Sequence, residues 1–401
     1  MKQKPGKRIT IYTLFIYIII FSTSTSTILN RVGLAVVACF GGIYLLSNRL
    51  KMKNTPFIKG MFLYGVFAYI AKTYSISPRG VVNTVFSGYI SMFIVVFVVT
   101  LVVDDENDIK FLLKAFVLAA VVQCIYMLYV YGVDILKAIS EGDEQVRLGG
   151  EVSNANSVGI SFALGYIISL YFFVNEKMLI HRRVYYGVVM IIGFVFGLLS
   201  GSRKVLVLLL TGSFALLFLR NIDAKNVIKS AFGVLLAGIV FWIMYDLMST
   251  NSLFSVVNDR FTALIEGLKD KSQLDNSSNV RFQMIRVGWA VFKANPVFGR
   301  GLYASYAYFR TYSHNNFIEI LMNTGIVGFL IFYYPFAKSA ESFIKINKKE
   351  TLYPLMLVLF LWVLMGGYGM VNYYSKDSMT MMALISLWLS LQRSKNDEKV
   401  N

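Results

Sequence analysis

Long apolar runs separated by short polar turns fall near 9–29, 32–47, 57–74, 83–103, 111–133, 157–174, 184–200, 204–219, 229–248, 317–336, 352–370 and 379–391. Several are too long for strands, and none alternates as a lipid-facing barrel strand must, so the pattern predicts helices. A hydrocarbon core about 30 Å thick takes roughly 20 mostly apolar residues per helix. The expectation is therefore an all-α, polytopic integral membrane protein with about 12 transmembrane helices.

One interval breaks this economy. Residues 249–316 form a loop of about 68 residues, far longer than the connections usual between packed helices. It divides the chain into 1–248, with the first nine spans, the loop 249–316, and 317–401, with the last three spans and a tail. Inside the loop, Asn276, Ser277, Ser278 and Asn279 read as a turn with an N-cap. Beyond them Phe282, Ile285, Trp289 and Phe292 recur at helical spacing among Arg281, Arg286 and Lys293. That pattern predicts an amphipathic helix at the membrane surface, ended by Pro296 and followed by a turn at Gly299 and Gly301.

Composition supports the membrane assignment: 56% of the 401 residues are hydrophobic and 15% charged. The net charge of +17 would suggest nucleic acid in a soluble protein, but membrane proteins collect Lys and Arg in cytoplasmic loops whatever they do. With an even number of spans, about 20 basic residues fall on the side of the N-terminus and about 8 in the short loops opposite. Both termini are expected to be cytoplasmic, the long loop extracytoplasmic, and nucleic acid is not expected as a partner. Lys2, Lys4, Lys7 and Arg8 before the first run read as an uncleaved signal anchor, since the run can span and no small-residue cleavage site follows. Asp104, Asp105, Glu106 and Asp108 read as a solvated cytoplasmic loop. Cys39 and Cys124 lie in apolar runs with no metal-ligand spacing, so neither a disulfide framework nor a zinc site is expected, and no cofactor motif is present.

Three positions stand out chemically. Arg203 lies in Ser200-Gly201-Ser202-Arg203-Lys204, a tight break between two apolar runs on the outer side. Arg281 opens the amphipathic helix. His314, in Ser313-His314-Asn315-Asn316, is one of two histidines and the one expected outside, since His181 sits with Arg182 and Arg183 on the cytoplasmic side. A neutral imidazole can take a proton near neutral pH, and Asn315 or Asn316 can orient it or bind a sugar hydroxyl. Taken singly, each has an ordinary alternative as an interfacial headgroup contact. The tyrosines Tyr303, Tyr306, Tyr308 and Tyr312 can stack on sugars, although membrane interfaces collect tyrosine anyway.

Taken together, these features resemble the O-antigen ligase and polymerase superfamily, the membrane glycosyltransferases of polyprenyl-diphosphate-linked glycans. The resemblance rests on Gly201-Ser202-Arg203 between two spans, and on Arg281 followed by Asn295-Pro296-Val297-Phe298-Gly299-Arg300-Gly301. It rests also on Ser313-His314-Asn315-Asn316-Phe317 leading into Gly325-Ile326-Val327-Gly328, and on Arg147-Leu148-Gly149-Gly150 with Asn156 opening a helix. The sequence departs from the family pattern at Ile285, where tryptophan is usual, and at Asn323, where an acidic residue is often seen. A second histidine upstream of His314 is also absent.

The resemblance implies a metal-independent, inverting glycosyltransferase of the cytoplasmic membrane with an extracytoplasmic site and no cofactor. Arg203 and Arg281 would stabilise the charge growing on a departing diphosphate, and His314 would deprotonate the acceptor sugar hydroxyl. Arg147, Asn156, Arg286, Arg300 and Asn315 are the implied substrate-binding residues. The implied partners are a polyprenyl-diphosphate-linked oligosaccharide, membrane lipid, and flippase and chain-length-regulator proteins. The favoured activity is polymerisation of repeat units for a capsule or O-antigen type of surface glycan. A ligase moving finished glycan to lipid, wall or protein would use the same three residues. A flippase of lipid-linked glycan is the alternative of another class, but it would need charges lining a cavity across the membrane, and these are few.

Overall fold

The computed structural model describes residues 5–23, 27–48, 53–132, 155–220 and 276–400, and every regular element in them is helical. In chain order these are α1 (Pro5–Thr23), α2 (Thr27–Asn48), α3 (Pro56–Thr73), α4 (Arg79–Val102), α5 (Glu106–Tyr131), α6 (Ala155–Asn175) and α7 (Ile180–Leu199). After them come α8 (Arg203–Arg220), α9 (Asn276–Ala294), α10 (Ser305–Phe309), α11 (Asn316–Lys345), α12 (Tyr353–Gly369) and α13 (Lys376–Val400). Seven helices (α1, α2, α4, α5, α6, α7 and α11) are long and apolar enough to cross a membrane, and α8 and α12 are shorter apolar helices. The predicted span at 229–248 lies outside the described residues, as does Arg147.

The sequence pattern places the first two spans slightly wrongly. Against an expected boundary at 30–31, α1 ends at Thr23 and α2 already begins at Thr27. Thr23, the last residue of α1, turns its hydroxyl back to donate to the Ile19 carbonyl at 2.6 Å. The turn expected at Asn276–Asn279 is likewise helical and forms the first turn of α9.

The bundle has two distinguishable ends. At one, the acidic run expected to be solvated instead ties helices together. Lys7 of α1 lies 2.7 Å from Asp104 and 2.6 Å from the buried Asp108, and Lys53 lies 2.9 Å from Asp104. Asp105 caps α5 through the Asn107 and Asp108 N–H groups, and Glu106 pairs with Lys395 of α13 at 2.8 Å. Carboxylates at a helix start meet both the free N–H groups and the dipole there, which accounts for their use as joints. The opposite end carries the α3–α4 and α7–α8 turns, the beginnings of α6, α11 and α13, and the candidate chemistry. Between the two ends, α6 packs against α5, α7 and α8, while α11 packs against α3 and α9.

Candidate functional site

The long helix α11 is broken at Gly325, where the backbone takes φ 61° and ψ −162°. A break inside an apolar helix strands donors and acceptors that the membrane cannot satisfy. The segment Asn295–Gly301 crosses the break and satisfies them. Arg300 and Gly301 donate their N–H groups to the Met322 and Asn323 carbonyls at 2.8 and 2.9 Å. Below the break, the N–H groups of Ile326 and Val327 donate to the Pro296 and Val297 carbonyls at 2.8 and 3.3 Å. The crossing is so close that a Cβ on Gly325 would lie 2.3 Å from the Val297 oxygen. The α3–α4 turn supports the segment from behind: Tyr74 donates its hydroxyl to the Phe298 carbonyl at 2.8 Å, and Ser77 to that of Tyr303 at 2.8 Å.

The chain then folds back to α11 through Tyr303, Arg310 and His314, three residues other than glycine with φ of 57–59°. Left-handed backbone at such residues persists only where the surroundings impose it. Arg310 takes it as the left-handed C-cap of α10, its N–H donating to the Tyr306 carbonyl at 2.9 Å, and the stretch from Ser305 to Ser313 is tied down by Glu319, fully buried one turn into α11. Its carboxylate accepts the Ser305 hydroxyl at 2.7 Å, the Ser313 N–H at 2.8 Å and the Asn323 amide at 3.3 Å. Asn323 in turn accepts the Ala304 N–H at 2.9 Å. The loop is thus held at both ends by a carboxylate and an amide one helical turn apart.

Asn315 caps α11 by accepting the Ile318 N–H, and donates its amide to the Tyr368 carbonyl of α12 at 3.1 Å. Asn316 accepts the N–H groups of Asn372 and Tyr373 at 3.0 Å each, drawing the α12–α13 connection onto α11. Both asparagines therefore use their side chains to assemble the helix ends around His314.

His314 itself is half-buried, its ring 4.3 Å from that of Tyr312. Burial first, then the charges of Arg281 and Lys204, push its pKa from the usual 6.5 down to about 4. The imidazole is thus neutral at neutral pH, with a free lone pair beside two cations. The same burial raises the Tyr312 phenol, which stays protonated. Arg281 projects from α9, which is seated on α11 where Ile285 and Val291 pack against Ile318 and Met322. The absence of a side chain at Gly288 allows the close approach, since a Cβ there would meet Ile318 at 2.3 Å.

Lys204 belongs to the first turn of α8, and its Nζ donates to the Gly369 carbonyl at the end of α12. It follows Arg203, which starts the same helix after the tight Ser200–Ser202 turn, where Gly201 takes φ 59°. The start of α6 faces that turn: a Cβ on Gly159 would lie 2.3 Å from Ser200 Oγ, placing Asn156 one turn away on the same end. Arg286 and Arg300 are exposed at the edge, and Arg300 serves the crossing through its backbone.

Among the sequence candidates, then, His314 lies in the electrostatic field of Arg281, Asn315 holds the same loop, and Arg203 and Asn156 begin helices at the same end. Two residues were missed. Lys204 was visible only as a neighbour of Arg203. Glu319 had a usable signal, being the only charged residue in the apolar run 317–336, where an ionisable group is a functional hypothesis by default. It also accounts for the departure at Asn323, because the acidic side chain stands one turn earlier on the same helix and bonds to that asparagine.

Residues 187–333 match the family model described as O-antigen ligase, an interval that takes in the latter part of α7, α8 to α10 and the broken part of α11. That segment is similar to the O-antigen ligase family, in line with the resemblance carried by the motifs above. No curated protein matches the chain. The family implies an integral membrane, glycosyltransferase-like enzyme acting on lipid-linked glycans. The matched interval contains Arg203, Lys204, Arg281, His314 and Glu319.

Proposed function

We propose that the protein is a surface-polysaccharide polymerase of the cytoplasmic membrane. It transfers a growing glycan from polyprenyl diphosphate to a sugar hydroxyl of a lipid-linked repeat unit at the extracytoplasmic face. The observation that carries the reading is the neutral His314 set beside Arg281 and Lys204.

The acceptor hydroxyl gives its proton to the imidazole as its oxygen attacks the anomeric carbon from the face opposite the diphosphate. The bond from the anomeric carbon to the diphosphate oxygen breaks, and the electron pair leaves with the lipid diphosphate, inverting the configuration. Fixed cations stabilise that departing charge because they are already in place when it forms. Arg281 and Lys204 supply this charge, with Arg203 at the start of the same helix as Lys204. A bound diphosphate also offsets the two cations that depress His314, so the donor itself strengthens the base that its transfer needs. Asn156, Arg286 and Arg300 bind the sugars, as does Arg147 on the strength of the resemblance, with flippase and chain-length-regulator proteins as partners.

The test is incubation of the purified protein with defined lipid-diphosphate repeat units and no added acceptor. Long lipid-linked products support polymerisation. Reaction only after a distinct acceptor is supplied would assign a ligase, and normal polymer from an inserted His314→Ala variant would overturn the catalytic proposal.

A further inference from the structure

At the end of the bundle opposite the His314 loop, α5, α6 and α7 border a cavity of about 500 Å³ whose lining includes Lys114, Glu176, Lys177, Arg182, Tyr185 and Tyr186. Three cations there face one carboxylate. That carboxylate is already engaged, since Glu176 lies 2.8 Å from Lys110. Among the described residues Lys114, Lys177 and Arg182 meet no carboxylate, and the Lys114 ammonium rests over the Phe172 ring, 5.2 Å from its centroid.

The start of α7 adds to the imbalance. Its first residues are Ile180, His181, Arg182 and Arg183, with no acidic side chain in the first turn and no side-chain cap from Leu179. The positive end of the helix dipole lies there, so these cations stand where the helix itself repels them, and an anion among them relieves both charges. A neighbouring cavity of about 450 Å³ shares Lys114 and Glu176, but in it Asp108 and Glu176 balance Lys110 and Lys114. The surplus is confined to the cavity at the α6–α7 turn.

Depth points to the source of the anion. Helix α5 is long and apolar enough to cross a membrane, and Lys114 stands roughly 12 Å along its axis from Glu106, its first residue. Its side chain snorkels toward the polar layer, so a phosphate that meets Lys114 and Arg182 together lies among lipid head groups. We infer that this cavity seats the phosphate of one anionic phospholipid, of the phosphatidylglycerol type, between Lys114, Lys177 and Arg182. A choline head would bring a further cation into a positive cavity. The site is separate from the candidate chemistry and does not rest on the glycosyl-transfer reading. It also differs from the ordinary excess of basic residues on one side of a membrane protein, which gives a diffuse attraction shared by every Lys and Arg at that end.

The test titrates the full chain in neutral detergent with phosphatidylglycerol, phosphatidylcholine or inorganic phosphate, reading bound lipid by native mass spectrometry and the melting temperature alongside. Phosphatidylglycerol is expected to bind more tightly than phosphatidylcholine and to raise the melting temperature, and inorganic phosphate to leave it unchanged. Lys114→Gln and Arg182→Gln should each weaken phosphatidylglycerol binding about fivefold, the effect of one basic residue near an anionic surface. Lys59→Gln, at an exposed position of α3 outside the cavity and toward the same end, should leave binding unchanged. Arg182 is exposed, so its replacement keeps the test decisive even if Lys114→Gln does not fold. Equal weakening by Lys59→Gln, equal binding of phosphatidylcholine, or unweakened binding by Arg182→Gln would each overturn the inference. Stabilisation by inorganic phosphate equal to that by the lipid would overturn it too, reassigning the cavity to a soluble anion.

Discussion

Glu319 accepts the backbone N–H of Ser313 at 2.8 Å, so a carboxylate within an apolar helix holds the peptide that precedes His314. In Glu319→Gln only one side-chain oxygen remains to accept, and the Ser305 hydroxyl or the Ser313 N–H loses its partner. A buried donor left unpaired costs about 1–3 kcal/mol. We expect a lower melting temperature in detergent and a transfer rate reduced by about tenfold or more, one factor of ten per 1.4 kcal/mol. Adding Asn323→Glu returns a carboxylate to the pair, within reach of the Ala304 N–H, and should restore part of both. A wild-type rate in the single variant would remove Glu319 from any positioning role.

The depressed His314 makes a prediction about pH. kcat/KM reports the free enzyme and kcat the complex. The acid limb of kcat/KM should lie near the resting value of about 4, and that of kcat at higher pH, because a bound diphosphate offsets Arg281 and Lys204. Lys204→Gln should move the kcat/KM limb upward, toward the ordinary histidine range. The same shift bears on stability: the folded state binds the proton less readily than the unfolded one. Acidification from the ordinary histidine value through about 4 therefore destabilises the fold, and His314→Asn should flatten that part of the profile.

The two cations serve one developing charge, so their removal should not be additive. Arg281→Gln and Lys204→Gln are each expected to lower kcat by about 10²–10³, the range for losing one preorganised charge-stabilising group. The double variant should fall well short of the product, as groups acting as a unit do. Initial rates on one lipid-linked donor measure all three, and strict additivity would argue for separate sites.

Gly325→Ala tests the crossing. A Cβ would sit 2.3 Å from the Val297 oxygen, and the left-handed backbone alone costs about 1–2 kcal/mol in a residue with a side chain. The variant should show a clearly lower melting temperature and faster proteolysis within 295–325. Gly80→Ala, where a Cβ meets nothing within 4 Å, should leave the melting temperature unchanged.

The two ends of the bundle predict topology. Reporters placed after Lys177 and after Asn401 should read cytoplasmic, and one placed in the α3–α4 turn at Ser75 should read outside. Cysteine accessibility at these positions in intact cells would check it. An external reading after Asn401 would overturn an even number of spans.

Helix positions were legible because apolar runs of membrane length have few alternatives. Ile9–Leu29 ran on too far because hydropathy counts threonine and serine as nearly neutral, so the pattern carried no boundary between Thr23 and Thr27. His314 stood out as one of two histidines, and Arg281 as the residue opening the amphipathic helix of the long loop. Lys204 was not, because its reach to Gly369 depends on where α12 ends, which no local pattern states. The acidic run at Asp104–Asp108 looked solvated because Lys7 and Lys395, its partners, are far away in sequence. Asn315 was legible as important but not in its role: the Ile318 cap follows from helix-start chemistry, while the bond to Tyr368 needs the packed bundle.

The break at Gly325 divides α11 into a short upper segment carrying Glu319 and a longer lower one ending at Lys345. Hydrogen bonds to Asn295–Gly301 hold the upper segment, and the α3–α4 turn braces that crossing in turn. A thinner or thicker bilayer is met by tilting long apolar helices. Because Ile326 and Val327 of the lower segment bond to the same crossing, at Pro296 and Val297, a tilt of the lower segment is passed through Asn295–Gly301 to the His314 loop, which makes that loop sensitive to membrane thickness.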